Sequence, residues 1–121
     1  MELKRLTGRK TSEFLMRKGR RWRGKTINVH WLPGSPRKGE ALLPPGVYIG
    51  TFASTKLDKS AVKRNRMRRR VREAFRLTVG EAENLPSVQL LVSPASASLK
   101  APFEEIREDV LRFLSTLTHG R

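Results

Sequence analysis

The segment Ala61–Leu77 reads AVKRNRMRRRVREAFRL and combines a helical apolar repeat with a very high density of arginine. From Lys63 to Arg76 it holds eight basic residues and a single acidic residue, Glu73. At about 100° per residue, one side of the predicted helix collects apolar residues and the opposite side collects polar and basic residues. The apolar side holds Met67, Val71, Ala74, Phe75 and Thr78, and the basic side holds Asn65, Arg68, Arg69, Arg72 and Arg76.

The unmixed charge of this helix indicates a bound polyanion. Like charges one turn apart destabilise a helix, and only Glu73 offsets them here. A helix face that is merely solvated usually mixes charges of both signs, which this one does not. A membrane-surface helix needs bulky apolar residues beside its basic face, whereas the apolar side of this helix is expected to face the core. Arginine-rich helices that read DNA occur in helix-turn-helix pairs or zippers, whereas strands flank this one. A strand-flanked basic helix favours recognition of RNA backbone and shape.

Positive charge is concentrated in the first two thirds of the chain. The 121 residues include 26 Lys and Arg against 11 Asp and Glu, a formal charge of +15. Residues 1–80 hold 22 basic and 5 acidic residues, a balance of +17, whereas residues 81–121 hold 4 and 6, a balance of −2. This asymmetry indicates a basic working surface on an otherwise ordinary domain, and the length predicts one RNA-binding domain over 1–121.

Composition excludes several classes of protein. Without cysteine, no disulfide partner, thiolate metal site or cysteine nucleophile is expected. No run approaches the ~20 apolar residues of a membrane span, and Met1–Arg23 lacks the apolar region of a secretory signal, so we expect no membrane partner and a cytoplasmic location. The chain has two histidines and no close carboxylate pair placed in a likely cleft, so nothing in it is expected to carry general acid–base chemistry alone. We therefore expect no catalytic residue and no metal site in the protein.

The remaining elements complete an α+β pattern. Helices are predicted over Lys10–Lys18, capped by Thr11 or Ser12 and ended by Gly19; from Asp58 or Ser60 to about Gly80; and from Pro102 onward. Strands are predicted over Thr26–Leu32, Gly46–Ser54 and Ser87–Ser93, with a Pro/Gly-rich loop over 33–46. Trp22 and Trp31 are predicted as packing residues rather than stacking platforms.

The basic helix resembles the characteristic helix of the bacterial ribonuclease P protein family. The shared features are the Arg64-Asn65-Arg66 triplet, the basic residues that follow it and the apolar-aromatic end at Ala74-Phe75. Ser60-Ala61-Val62, Leu85-Pro86 and the final amphipathic helix also match, so the resemblance spans nearly the whole chain. It implies an α/β sandwich of the ribosomal protein S5 domain 2-like type, in the order α-β-β(-β)-α-β-α. It also implies a sheet of about four strands with a left-handed β-α-β crossover.

The resemblance implies an accessory role in tRNA maturation. The family's RNA subunit holds the Mg²⁺ ions and removes the 5′ leader of precursor tRNA, while the protein binds that RNA and the leader. Residue by residue, the resemblance assigns RNA contacts to Lys56, Lys63, Arg64, Asn65, Arg66, Arg68, Arg69, Arg72 and Arg76. It gives Ser12, Phe14, Met16 and His30 as candidates for the cleft that receives the leader.

Two departures from the family pattern bear on these assignments. The family's Ser-Lys-Lys-x-Gly turn is replaced by Ser54-Thr55-Lys56-Leu57-Asp58, which lacks the glycine. An ungapped match also puts Ser12 and Met16 where the first helix of the family carries two aromatic residues, with Phe14 out of register. Phe14 is thus read either as a leader contact or as a core residue, and His30 either as a stacking group or as a half-buried strand residue. A ribosomal or general RNA-binding protein, or a DNA-binding regulator, remains the alternative function.

Overall fold

A computed structural model describes residues 1–119 as a five-stranded sheet with helices on both faces. The strands are β1 (Leu3–Arg5), β2 (Arg20–Arg23), β3 (Ile27–Pro33), β4 (Arg37–Lys38), β5 (Ala41–Leu42), β6 (Val47–Thr51) and β7 (Val88–Pro94). The helices are α1 (Arg9–Lys18), α2 (Ala61–Glu81) and α3 (Phe103–His119), with a short 3₁₀ helix at Ser96–Leu99. The sheet order is β1-β6-β7-β3-β2, and β4 and β5 form a separate hairpin.

The expected α+β architecture is present, with one more strand in the sheet than the resemblance implied. β6 and β7 are parallel neighbours joined through α2, so α2 is the crossover of a β-α-β unit. β1 pairs parallel to the other side of β6, whereas β2 and β3 form an antiparallel pair next to β7. β1 and β2 are therefore the two edges of the sheet.

Packing on the two faces of the sheet separates α1 from the other helices. On one face, α2 and α3 cover the larger core, which includes Val29, Leu90 and Phe75. On the other face, Leu15 of α1 packs in a smaller cluster with Tyr48 and Leu91. The alternating side chains of a strand explain this division, because neighbours along β7 point to opposite faces.

The apolar side predicted for α2 is confirmed, since its five named residues are all at most 2% exposed. The Ser60 hydroxyl caps the helix by accepting from the Lys63 amide at 3.3 Å. The predicted packing role of both tryptophans is also confirmed. Trp22 and Trp31 each meet Phe113 edge to face, with ring centroids 5.6 and 6.1 Å apart.

A buried carboxylate joins α3 to the sheet, a contact that the sequence did not reveal. Asp109 is 1% exposed and accepts from the Thr26 amide at 2.6 Å, the Thr26 hydroxyl at 2.7 Å and Arg112 at 2.8 Å. Gly24 permits this approach, because a Cβ there would lie 2.9 Å from the Asp109 carboxylate. Three donors satisfy the buried acceptor, which would otherwise destabilise the fold.

Two local expectations are wrong. The first helix is not capped by Thr11 or Ser12, because it already begins at Arg9, after Gly8, whose φ of +99° favours glycine. The 33–46 segment is not wholly a loop, because β3 continues through Pro33 and the β4–β5 hairpin follows. Gly39, with φ +65°, opens the two-residue turn of that hairpin.

Candidate nucleic-acid interface

The predicted basic side of α2 borders an open cleft between α2, α1 and the C-terminal end of β6. Arg68 and Arg72 are half-buried along its α2 side, and Ser12 and Met16 of α1 lie across from them. Gly50 and Leu91 line the same cleft from the sheet. A neighbouring depression, lined by Asn65 and Arg69, shares Thr51, Arg68 and Arg72 with the cleft. The two depressions therefore form one continuous basic surface, here called the α2 cleft.

A hydrogen bond orients the Arg68 guanidinium in the α2 cleft. The Asn65 side-chain oxygen accepts a hydrogen bond from Arg68 one turn later, which holds that guanidinium along the helix. Arg5, at the end of β1, adds a further cation to the rim. Planar guanidinium groups donate in pairs to phosphate oxygens, so this arrangement suits a phosphodiester backbone.

Arg76 lies at the end of the basic side and is partly neutralised. Its guanidinium donates to both carboxylate oxygens of Glu73, at 2.8 and 2.6 Å. That hydrogen bonding lowers the pKa of Glu73 and raises the pKa of Arg76, so both groups stay charged near neutral pH. A phosphate approaching Arg76 must therefore compete with an exposed carboxylate.

Two of the predicted contacts lie on the other flank of α2. Lys63 and Arg66 face a groove that also includes Leu99 and Lys100, next to the 3₁₀ helix. The predicted RNA-binding residues of α2 therefore occupy two flanks rather than a single face. Lys100 was not predicted, because it follows Lys63 by 37 positions and no local pattern links the two.

Other arginines of the basic segment serve the fold. Arg70 donates to the carbonyl oxygens of Ser98 and Ala101, both at 2.6 Å, and to that of Leu99 at 3.1 Å. Arg64 donates to the carbonyl oxygens of Asp58 at 2.8 Å and Lys59 at 3.0 Å. Both guanidiniums therefore hold neighbouring backbone. In Arg64, fewer N–H donors are left for the RNA contact that the sequence predicts.

The turn before α2 closes without the glycine of the family pattern. The Leu57 amide donates to the Ser54 carbonyl at 3.0 Å, and the Asp58 carboxylate accepts from the Ser60 amide at 2.8 Å. Within residues 1–119, Asn84 is the one non-glycine residue with positive φ, so this turn needs no left-handed residue. Lys56 is exposed on it, about one turn ahead of the helix.

Of the four leader-cleft candidates, two line the α2 cleft and two do not. Ser12 and Met16 line the α2 cleft, so the structure brings them beside Arg68 and Arg72. Phe14 does not line it: its side chain is 47% exposed on the other flank of α1, which also rules out the reading as a core residue. His30 is half-buried beside Leu91, its partner in the sheet, and is not among the residues that line the cleft.

The environment of His30 favours its neutral form. Burial lowers the pKa of His30, and the positive charge of Arg21, its partner on β2, lowers it further. The Nδ1 atom is buried and has no hydrogen-bond partner among the described residues. Protonation would therefore place an uncompensated charge beside an arginine.

A family model described as Ribonuclease P matches residues 1–118. Ribonuclease P protein components from Thermus scotoductus and Brucella suis are 35% identical over 99 residues and 31% identical over 105 residues. These matches cover 82% and 86% of the chain, but 51% and 74% of the two relatives. The chain thus spans about half the length of the Thermus relatives it matches.

Two solved structures share the fold. The ribonuclease P protein from Thermotoga maritima superposes with a TM-score of 0.71 at 22% identity, covering 92% of this chain and 94% of that one. The Staphylococcus aureus ribonuclease P protein gives 0.67 at 18% identity, covering 92% of each chain. Among the described residues, no helix has both the length and the apolar character needed to cross a bilayer.

Proposed function

Since this chain belongs to the ribonuclease P protein family, we propose that it is the protein subunit of a ribonuclease P ribonucleoprotein. In this role it binds the catalytic RNA and the 5′ leader of precursor tRNA in the cytoplasm. It assists endonucleolytic removal of the leader, which leaves the mature 5′ end of the tRNA. The observation that carries the proposal is the α2 cleft, an open groove in which Arg68 and Arg72 line the side opposite Ser12 and Met16.

The α2 cleft supports binding of an unpaired strand rather than of a duplex. Its walls come from α1 and α2, and its floor is the sheet at Gly50 and Leu91. Cations at the rim neutralise phosphates, and the half-exposed thioether side chain of Met16 offers apolar contact to bases. A groove that joins cations along a backbone path to apolar surface is typical of single-strand binding.

We assign the chemistry to the RNA partner, with Mg²⁺ held there. The residues of the α2 cleft do not fit a resident divalent cation, because Arg5, Arg68 and Arg72 repel it and carboxylates are its preferred ligands. The protein instead reduces repulsion between two RNAs, which lowers the Mg²⁺ concentration that their association requires. We therefore derive no catalytic step from this chain.

The proposal is tested by precursor tRNA processing with bacterial ribonuclease P RNAs of more than one structural type, at low Mg²⁺. The protein should restore cleavage at the mature 5′ end, and protein without RNA should give no cleavage. Arg68→Ala combined with Arg72→Ala should lose most of the rescue. Arg107→Ala, compared with each of Arg68→Ala and Arg72→Ala made singly, is the matched control, because it removes one positive charge on α3, where Arg107 pairs with Glu81.

Salt-sensitive RNA binding without rescue by any of these RNAs would contradict the processing role. It would leave a ribosomal or general RNA-binding function. Equal rescue by wild type and by the double variant would instead contradict the assignment of the α2 cleft.

A further inference from the structure

A second groove lies on the flank of α1 that faces away from the α2 cleft. Phe14 is its exposed aromatic residue, and Lys10 and Thr11 precede it on the same helix. Ser35 and Arg37 border the groove from the segment that enters the β4–β5 hairpin, and Gln89 borders it from β7. At 100° per residue Phe14 points about 200° from Ser12, so α1 separates the two grooves.

Both walls of this groove are anchored to the protein core. Leu15 holds α1 on the sheet and is completely buried. The hairpin stem is closed by the Leu43 amide, which donates to the carbonyl of the buried Pro36 at 2.9 Å. Leu43 in turn packs against the cluster that contains Leu15. The groove is therefore preformed, which reduces the ordering cost of binding.

The chemistry of the groove matches one unpaired nucleotide. An exposed phenylalanine ring offers a stacking surface to any base. The Arg17 guanidinium lies over the Phe14 ring, 5.9 Å from its centroid, so a cation is already part of this stacking site. Among residues 1–119, Lys10 and Arg37 are the charged residues that line the groove and no carboxylate lines it, so its charge complements a phosphate.

We propose that this groove is a second single-strand subsite, in which a nucleobase stacks on Phe14 while Lys10 and Arg37 contact its phosphates. The hydroxyls of Thr11 and Ser35 and the amide of Gln89 are available to base or ribose edges. The inference rests on the proposed function for the identity of the strand as RNA. It extends the path of that RNA around α1, from the α2 cleft to the hairpin.

The test uses a ten-nucleotide oligoadenylate and an abasic ribose-phosphate strand of equal length as probes, measured by fluorescence anisotropy. Phe14→Leu should weaken oligoadenylate binding about tenfold, since a stacked base contributes that order of affinity, and should leave the abasic strand unaffected. Phe14→Trp should retain oligoadenylate affinity. Leu111→Ala, which truncates a 54% exposed side chain on α3, should change the affinity for neither probe.

A base-specific loss in Phe14→Leu, with retention in Phe14→Trp, supports the subsite. Equal loss for both probes, no loss for either, or loss in Phe14→Trp overturns it. Arg37→Ala should weaken the binding of both probes and reduce the salt dependence of that binding, because it removes a phosphate contact. An unchanged salt dependence would overturn the phosphate assignment.

The same proteins separate this inference from the proposed function. If wild type restores processing and Phe14→Leu binds oligoadenylate normally, the subsite alone fails. If wild type restores no processing but Phe14→Leu shows the base-specific loss, the ribonuclease P role fails and the groove remains a single-strand RNA site.

Discussion

The guanidinium of Arg70 donates to the carbonyl oxygen of Ala101 at 2.6 Å, across 31 positions of the chain. With the carbonyls of Ser98 and Leu99, this contact fastens the 3₁₀ helix to the middle of α2. Carbonyl oxygens at the end of a helical turn need donors, and one planar guanidinium supplies three of them. An arginine in the middle of the basic segment thus holds the path of the chain into α3.

Arg70→Ala should therefore lower the free energy of unfolding by roughly 2 kcal/mol, because partly buried carbonyls lose charged donors. Arg70→Lys should restore only part of this, since an ammonium cannot span all three carbonyls. Urea denaturation measures both. Arg69→Ala is the control: Arg69 is exposed, and its loss should change stability by less than about 0.5 kcal/mol. Equal stability of the Arg70 and Arg69 variants would contradict the structural role.

Arg68→Ala and Arg72→Ala should affect RNA binding rather than stability, unlike Arg70→Ala. Each should weaken RNA binding and reduce the slope of log affinity against log salt concentration by about one, because each removes one phosphate contact. Thermal stability should change little, since both side chains border the open α2 cleft. Binding titrations at several salt concentrations measure the slope. Slopes and affinities unchanged from wild type in both variants would remove these two residues from the interface.

Glu73→Gln should strengthen RNA binding about two- to fivefold at low salt and less at high salt. The substitution removes the carboxylate that holds the Arg76 guanidinium at 2.6 Å. It also adds one unit of net positive charge. Glu104→Gln supplies the matched control, because it makes the same charge change on α3. Equal gains in the two variants would mean that net charge, rather than release of Arg76, strengthens binding.

Stability should depend on pH through His30. Its folded-state pKa is lowered, first by burial and then by Arg21, below the unfolded value of about 6.5. Between these two pKa values the unfolded chain binds more protons, so stability present above pH 6.5 is lost as the pH falls toward the folded value. His30→Gln should flatten this part of the profile between pH 7.5 and 5.5. A profile that His30→Gln leaves unchanged would assign the pH dependence to other groups.

The long periodic elements of this fold were predictable from sequence, and the short ones were not. The helical repeat through Met67, Val71 and Phe75 runs over several turns, so it identifies α2 and its buried side. β1 has three residues, too few to show a two-residue period, and its parallel pairing with β6 joins distant segments. For that reason β1, and with it the place of Arg5 in the α2 cleft, was not predicted from the sequence.

Which arginines line the α2 cleft and which hold the backbone also depends on tertiary structure. The sequence spacing puts Arg68 and Arg72 on the exposed side, as the structure does. The spacing cannot say that Arg70 meets three carbonyls, because these belong to a turn formed about 30 residues later. Phe14 was ambiguous for a similar reason, since its exposure depends on where the hairpin stands relative to α1.

The two edges of the sheet carry much of the positive charge outside α2. β2 presents Arg20, Arg21 and Arg23, and β1 presents Lys4 and Arg5. Edge strands have unpaired backbone groups that can accept a strand from another molecule, and repulsion between basic side chains opposes that addition. These charges therefore oppose aggregation of the free protein through its sheet edges. Replacing the β2 arginines with valine or threonine would leave an edge open to strand-by-strand self-association.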